Sequence, residues 1–237
     1  MGTWDLSRKG LARLAAAAAF GALAAAGCAS GDKAREVQRL QGQAAYEQGL
    51  KHLQDKRISL GLVSLQQAIS LDPENPTYHN SLGVLYLDIR RPVDAQAEFL
   101  KAAELDPSYA EAHHNLGLTM AEQGKFDQAI AGYRKALSIP TYTTPEVAYN
   151  NLGNALFMQG KYREAEESYR AALQLNGRLP SALYGLGMAL SKQGRAEDAK
   201  TALRSARDMD ASSPFAQAAA EALKALGEAP APPGTTR

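Results

Sequence analysis

The chain has 237 residues, enough for one large domain or two small ones, with ample material for a core. Apolar residues make up 45% and charged residues 22%, which excludes a disordered polymer and a multi-span membrane protein. Lys and Arg number 26 against 25 Asp and Glu, so no basic excess favours nucleic acid. A single cysteine excludes an internal disulfide framework and a thiolate metal cluster.

In chain order, Arg8, Lys9 and Arg13 come first and precede an uncharged stretch from Leu14 to Gly27. A basic region followed by a short apolar core reads as an export signal. As a helix its 14 residues rise about 21 Å, short of the roughly 30 Å hydrocarbon core, so it is no stable span. Its end, Ala25-Ala26-Gly27-Cys28, resembles a bacterial lipobox. That resemblance implies removal of residues 1–27 and a diacylglycerol and acyl lipid on Cys28, which becomes the first residue of the mature chain. Two or more acyl chains make a durable anchor where one does not. Ordinary cleavage near Ala26, leaving a free thiol, is the other reading. Ala29, rather than Asp, follows Cys28; by the same resemblance the expected location is the periplasmic face of the outer membrane. Residues 28–41 are then an acylated start and a short tether, helix-prone from Asp32 to Gln41.

Beyond the tether the chain is self-similar. Leu82-Gly83, Leu116-Gly117, Leu152-Gly153 and Leu186-Gly187 recur at spacings of 34, 36 and 34, with Gln48-Gly49 one step earlier. Five units result: 42–75, 76–109, 110–145, 146–179 and 180–213. The eighth place is always Gly (Gly49, Gly83, Gly117, Gly153, Gly187). The twentieth is Gly61 or Ala, the twenty-seventh always Ala, and the twenty-fourth bulky (Leu65, Phe99, Tyr133, Tyr169, Leu203). Small residues at two places let two helices approach, and one large residue locks them. Gly124, Gly160 and Gly194 suit the left-handed turn after a unit's first helix, and Asp72-Pro73 and Asp106-Pro107 stop the second. The predicted helices are 42–55/58–71, 76–88/92–105, 110–122/126–138, 146–158/162–175 and 180–192/196–209.

The pattern resembles the tetratricopeptide repeat. The expected fold is all-α, a right-handed superhelix of five helix-turn-helix units with a C-terminal capping helix at 214–226, where Phe215, Ala219, Ala222, Leu223 and Leu226 fall at helical spacing. Residues 227–237, rich in Pro and Gly, read as a disordered tail. The third unit is two residues too long; its junction 139–146 is expected to alter the stacking and to let Tyr142 project.

No catalytic set emerges, so an enzyme, a metal site, a cofactor and a small-molecule substrate are not expected. His79 and His113, both at the fourth place, read as seam residues, and Glu164, Glu166 and Glu167 as a solvated face. Places 4, 7, 8 and 11 of each first helix form the seam, leaving places 2, 5, 9 and 12 for another face. That face lines the concave side of the fold. It carries Tyr46, Leu50 and Leu53; Asn80, Val84 and Leu87; His114 and Leu118; Val147, Asn150, Asn154 and Phe157 with neighbouring Met158; then Tyr184 and Met188. Apolar residues there suggest a groove for an apolar or amphipathic protein segment; mutual burial of neighbouring first helices is the competing explanation. Lys192 is the only obvious base, which argues against a carboxylate clamp. Asn115 and Asn151, both at the sixth place, suit either an extended peptide backbone or local bonding.

A lipobox followed by five units, with Tyr142–Gly153 (YTTPEVAYNNLG) and Leu173–Ala189 (LQLNGRLPSALYGLGMA), resembles the type IV pilus biogenesis/stability lipoproteins, the secretin pilotins of the PilF, PilW and Tgl type. That family is commonly six-repeat, and here the sixth is reduced to residues 214–226. The resemblance implies a membrane-anchored adaptor that binds the pilus secretin and promotes its insertion and multimerisation. A periplasmic scaffold for another envelope client, such as a cell-wall hydrolase or protease, is the chief rival; a ligand receptor is a more distant one.

Overall fold

The computed structural model describes residues 32–210 and 212–228. The expected export signal, Cys28 and most of the expected C-terminal tail therefore lie outside the described residues. Every described element is helical: α1 (residues 32–54), α2 (Ile58–Leu71), α3 (Pro76–Asp88), α4 (Pro92–Leu105), α5 (Ala110–Glu122), α6 (Phe126–Leu137), α7 (Pro145–Met158), α8 (Tyr162–Leu175), α9 (Pro180–Lys192), α10 (Ala196–Met209) and α11 (Pro214–Ala225). Helix α1 begins ten residues before the first repeat, so the helix-prone stretch from Asp32 continues into it without a break. No described helix is long and apolar enough to cross a membrane.

Pro opens α3, α4, α7, α9 and α11, where its missing N–H goes unused and its fixed φ suits the first turn. Asp106, Asn176 and Asp210 end α4, α8 and α10 by accepting the backbone N–H two residues on, at 2.8, 3.0 and 3.0 Å. Inside every hairpin the chain reverses through the left-handed region. Gly124, Gly160 and Gly194 take φ of 72°, 75° and 78°, and the same place holds Lys56 at 58° and Arg90 at 61°.

Two compact bodies divide inside α3, one ending at Tyr78 and the other starting at His79. In the first, Leu65 is fully buried, and Ala45, Ala68 and Tyr78 form a small core. In the second, successive hairpins pack in chain order, and the first helices α5, α7, α9 and then α11 also adjoin one another. The lock is the same throughout. A Cβ added at Gly83, Gly117, Gly153 or Gly187 would lie 2.6–2.9 Å from Phe99, Tyr133, Tyr169 or Leu203. Those four side chains are at most 2% exposed, and each contributes about 1.5–3 kcal/mol by leaving water. Alanines at the twentieth and twenty-seventh places (Ala95, Ala129, Ala165 and Ala199; Ala102, Ala136, Ala172 and Ala206) are fully buried, because nothing larger fits between the helices.

Two expectations change. Tyr142 does not project: the lengthened junction folds back and buries it to 8% exposure beside Ala110, Ala136, Ile139 and Ala148. Glu166 is not part of a freely solvated face. Its carboxylate, 13% exposed, pairs with Arg195 at 2.9 Å and Arg170 at 3.0 Å, and Gln193 donates to it at 2.9 Å. Burial works to raise its pKa, but the bonds from Gln193, Arg170 and Arg195 prevail and hold it below the ordinary glutamate range.

Candidate functional site

The candidate face consists of one side of each first helix, and its four rows behave differently. At the fifth place, Asn80, His114 and Asn150 are only 8–9% exposed. They are therefore not open groove lining. In the second body they form a polar floor that ties one repeat to the next. The Asn115 amide donates to Asn80 Oδ1 at 3.0 Å, and Asn151 Nδ2 lies 3.4 Å from His114 Nε2. The fifth place of one repeat thus meets the sixth place of its successor, and Asn115 and Asn151 are engaged locally rather than presented as a ladder. At the next step the sixth place is Gly185, which has no side chain to offer. The Tyr169 ring fills that space, and Asn150 Oδ1 is left buried without a partner.

His114 is the hub of this floor. Tyr142 Oη lies 2.6 Å from its Nδ1, and the Tyr133 and Tyr142 rings sit 5.5 and 5.8 Å from its own. Burial drives its pKa below the ordinary histidine value, with Glu111 opposing. The other histidines split. His79 Nδ1 donates to Glu98 at 2.7 Å in the seam, whereas His113 is only half-buried and donates to the Pro107 carbonyl at 3.1 Å.

The ninth place supplies the open row. In the second body Val84 is 40% exposed, Asn154 is exposed, and Leu118 and Met188 are half-buried; no charge interrupts the four. Asn154 Oδ1 accepts from the Tyr169 hydroxyl at 2.8 Å, which fixes the carboxamide. Val147 at the second place and Met158 past the twelfth add 38% and 63% exposed apolar surface. At the twelfth place Leu87 and Phe157 are half-buried. Phe157 packs 5.3 Å from the Tyr162 ring, and Leu87 borders a recess of about 680 Å³ lined also by Asp88, Arg90, Pro92, Glu122 and Gln123. Charge gathers at those helix ends and not along the ninth-place row.

Tyr184 belongs to the C-terminal closure. It packs with Leu203 and Leu223, 6.1 Å from the Phe215 ring of α11. In the first body Leu50 is 37% exposed, while Tyr46 stacks on Tyr78 at 4.8 Å and Leu53 covers Gly61. Leu53 is thus a seam residue. The fifth-place row is packing, and the ninth-place row is open. Sequence reasoning missed Tyr142 as a partner of His114, because only the path of the long junction brings them together. Among the described residues no group of three or more His, Cys, Asp or Glu is placed to hold a metal ion.

Known proteins share these repeats. Family models described as "Tetratricopeptide repeat" match residues 57–110, 98–131, 147–178 and 180–205. The chain is a tetratricopeptide repeat protein, an all-helical scaffold of the kind that binds other proteins. A curated relative, tetratricopeptide repeat protein 37 of Xenopus laevis, is 35% identical over 100 residues, 40% of this chain but 6% of that protein. Among solved structures, MamA superposes with a TM-score of 0.64 at 22% identity, over 81% of this chain and 98% of its own. PilF of Pseudomonas aeruginosa has a TM-score of 0.64 at 22% identity, over 81% of this chain and 93% of its own. PilW, described as a widely conserved type IV pilus biogenesis factor, has a TM-score of 0.64 at 20% identity, over 78% of this chain and 92% of its own. At these identities the likeness is one of fold.

Proposed function

We propose that the chain is an outer-membrane lipoprotein, anchored through Cys28, that binds the secretin of a type IV pilus machine and promotes its insertion and multimerisation. The observation that carries this reading is the uncharged, partly open row of Val84, Leu118, Asn154 and Met188, flanked by Val147 and Met158. Such a row suits an apolar segment of a client that would otherwise meet water before insertion. The lipobox and the fold shared with PilF and PilW support the choice of client. An anchor confines the repeats to one membrane face and so raises their effective concentration around a client arriving there. Binding and release suffice, and no covalent step is invoked.

Replacing Cys28 by Ala tests the anchor. The variant chain is expected to fold, to leave the membrane fraction, and to leave the secretin monomeric in the envelope. A variant that stays membrane-bound, or a secretin that still multimerises without the chain, contradicts the reading. A hydrolase or protease recovered in place of secretin redirects it to another envelope client.

A further inference from the structure

Among the described residues, nothing covers one flank of α1. In the second body, places 3, 7 and 10 of α5, α7 and α9 face the preceding hairpin and are buried, except for half-buried Leu116. Ala148, Leu152 and Ala155 are at most 6% exposed, as are Ala182, Leu186 and Ala189. In the first repeat the same places are Ala44, Gln48 and Lys51, all exposed. Gln48 and Lys51 make the far half of this flank polar. The near half is not. Leu40 and Val37 extend the line of Ala44 at helical spacing, 59% and 52% exposed, with Lys33 one turn earlier. The stripe turns away from α2, which α1 meets through Gly42 and Gly49, and it is distinct from the face bearing Tyr46 and Leu50.

Apolar character on this flank therefore rises towards Cys28. Four peptide steps separate Cys28 from the first residue of α1, at most about 14 Å of chain. Val37 and Leu40 lie only about 8 and 12 Å further along the helix. Two large side chains and an alanine fall far short of the roughly 800 Å² per partner that a stable protein interface needs. Beside an acyl anchor such a patch suffices, because the anchor already holds it at the surface. Lys33 can keep its stem on the stripe and its ammonium among lipid phosphates.

We propose that Val37, Leu40 and Ala44 seat the first turns of α1 in the bilayer surface beside the Cys28 acyl chains. The seat rests on the proposed Cys28 anchor and goes beyond it. It turns a loose leash into a fixed mount and lays α1 along the membrane. Acylation consumes the only native thiol, so a cysteine introduced elsewhere takes a nitroxide label alone. The acylated full-length protein would carry Val37→Cys, Leu40→Cys, Glu36→Cys or Gln43→Cys and be reconstituted in phosphatidylethanolamine/phosphatidylglycerol vesicles. The expected result is a several-fold higher accessibility to oxygen relative to a water-soluble nickel chelate at 37 and 40 than at 36 and 43. Equal ratios at all four sites, in protein that incorporates labelled palmitate, overturn the seat and leave the anchor standing. Absence of palmitate overturns both. Spin–spin broadening at 37 and 40 would show a second copy of the chain on the stripe and also overturns the seat.

Discussion

Tyr142 Oη lies 2.6 Å from His114 Nδ1, and this one contact ties the lengthened junction after α6 to the middle of α5. It connects residues 28 positions apart and turns a two-residue insertion into part of the core. Removing the hydroxyl leaves a buried ring nitrogen without that partner, which costs about 1–3 kcal/mol. Tyr142→Phe is expected to lower unfolding free energy by that amount in urea titration. An unchanged midpoint contradicts the assignment.

The same histidine makes stability depend on pH. Burial holds its folded pKa below the ordinary value of 6.5, so between the two values the unfolded chain binds more protons than the folded one. The stability it contributes is complete above 6.5 and is lost as pH falls from there towards the folded pKa. Glu166, held below its ordinary 4.5, contributes stability that begins to be lost only as pH falls through that value. Thermal unfolding between pH 7 and 5 should show a falling melting temperature in the native chain and a flatter profile in His114→Gln. Equal slopes would contradict the burial argument.

At the hairpin reversals Lys56 and Arg90 adopt φ of 58° and 61°, where three later repeats use Gly. A side chain there costs about 1–2 kcal/mol, part of which the greater freedom of Gly in the unfolded chain offsets. Arg90→Gly should raise stability by about 0.5–1 kcal/mol by chemical denaturation, and Gly160→Val should lower it.

Gly185 sits where a Cβ would meet the Tyr169 ring, 2.5 Å from Cε1. Tyr169 is itself locked between α7 and α8 and bonded to Asn154, so it cannot move aside cheaply. Gly185→Ala should destabilise by about 1–3 kcal/mol and loosen Asn154. Hydrogen exchange of the α7 and α9 amides reads both effects.

The fold was legible because each of its places has a steric reason visible in residue size. Gly opposite Phe or Tyr, Ala at the two closest approaches, and Pro at helix starts place the observed helices α2 to α10 within one residue of the sequence reading. The candidate site was less legible. Helical spacing puts Asn80 and Val84 on one face, but it cannot tell that Asn80 is covered by Asn115 of the next repeat while Val84 stays open. That outcome depends on how far consecutive first helices approach, which is set by residues a full repeat away. Leu53 was misplaced for a similar reason: the first repeat has Gly61 where later ones have Ala, and Leu53 drops onto it. The fate of Tyr142 depended on the path of a junction with no counterpart in the other repeats.

The claim at the centre is that the ninth-place row and its flanks hold an apolar segment of a secretin. Val84 and Val147 test it best, because both are exposed enough that a charge there leaves the core intact. Binding of purified full-length chain to purified secretin should be measured for the native protein and for the Val84→Glu/Val147→Glu pair, with helicity followed by circular dichroism. The account predicts a loss of affinity of tenfold or more, about 1.4 kcal/mol or above, at unchanged helicity. Equal affinity in the two proteins, or no affinity in either, contradicts it.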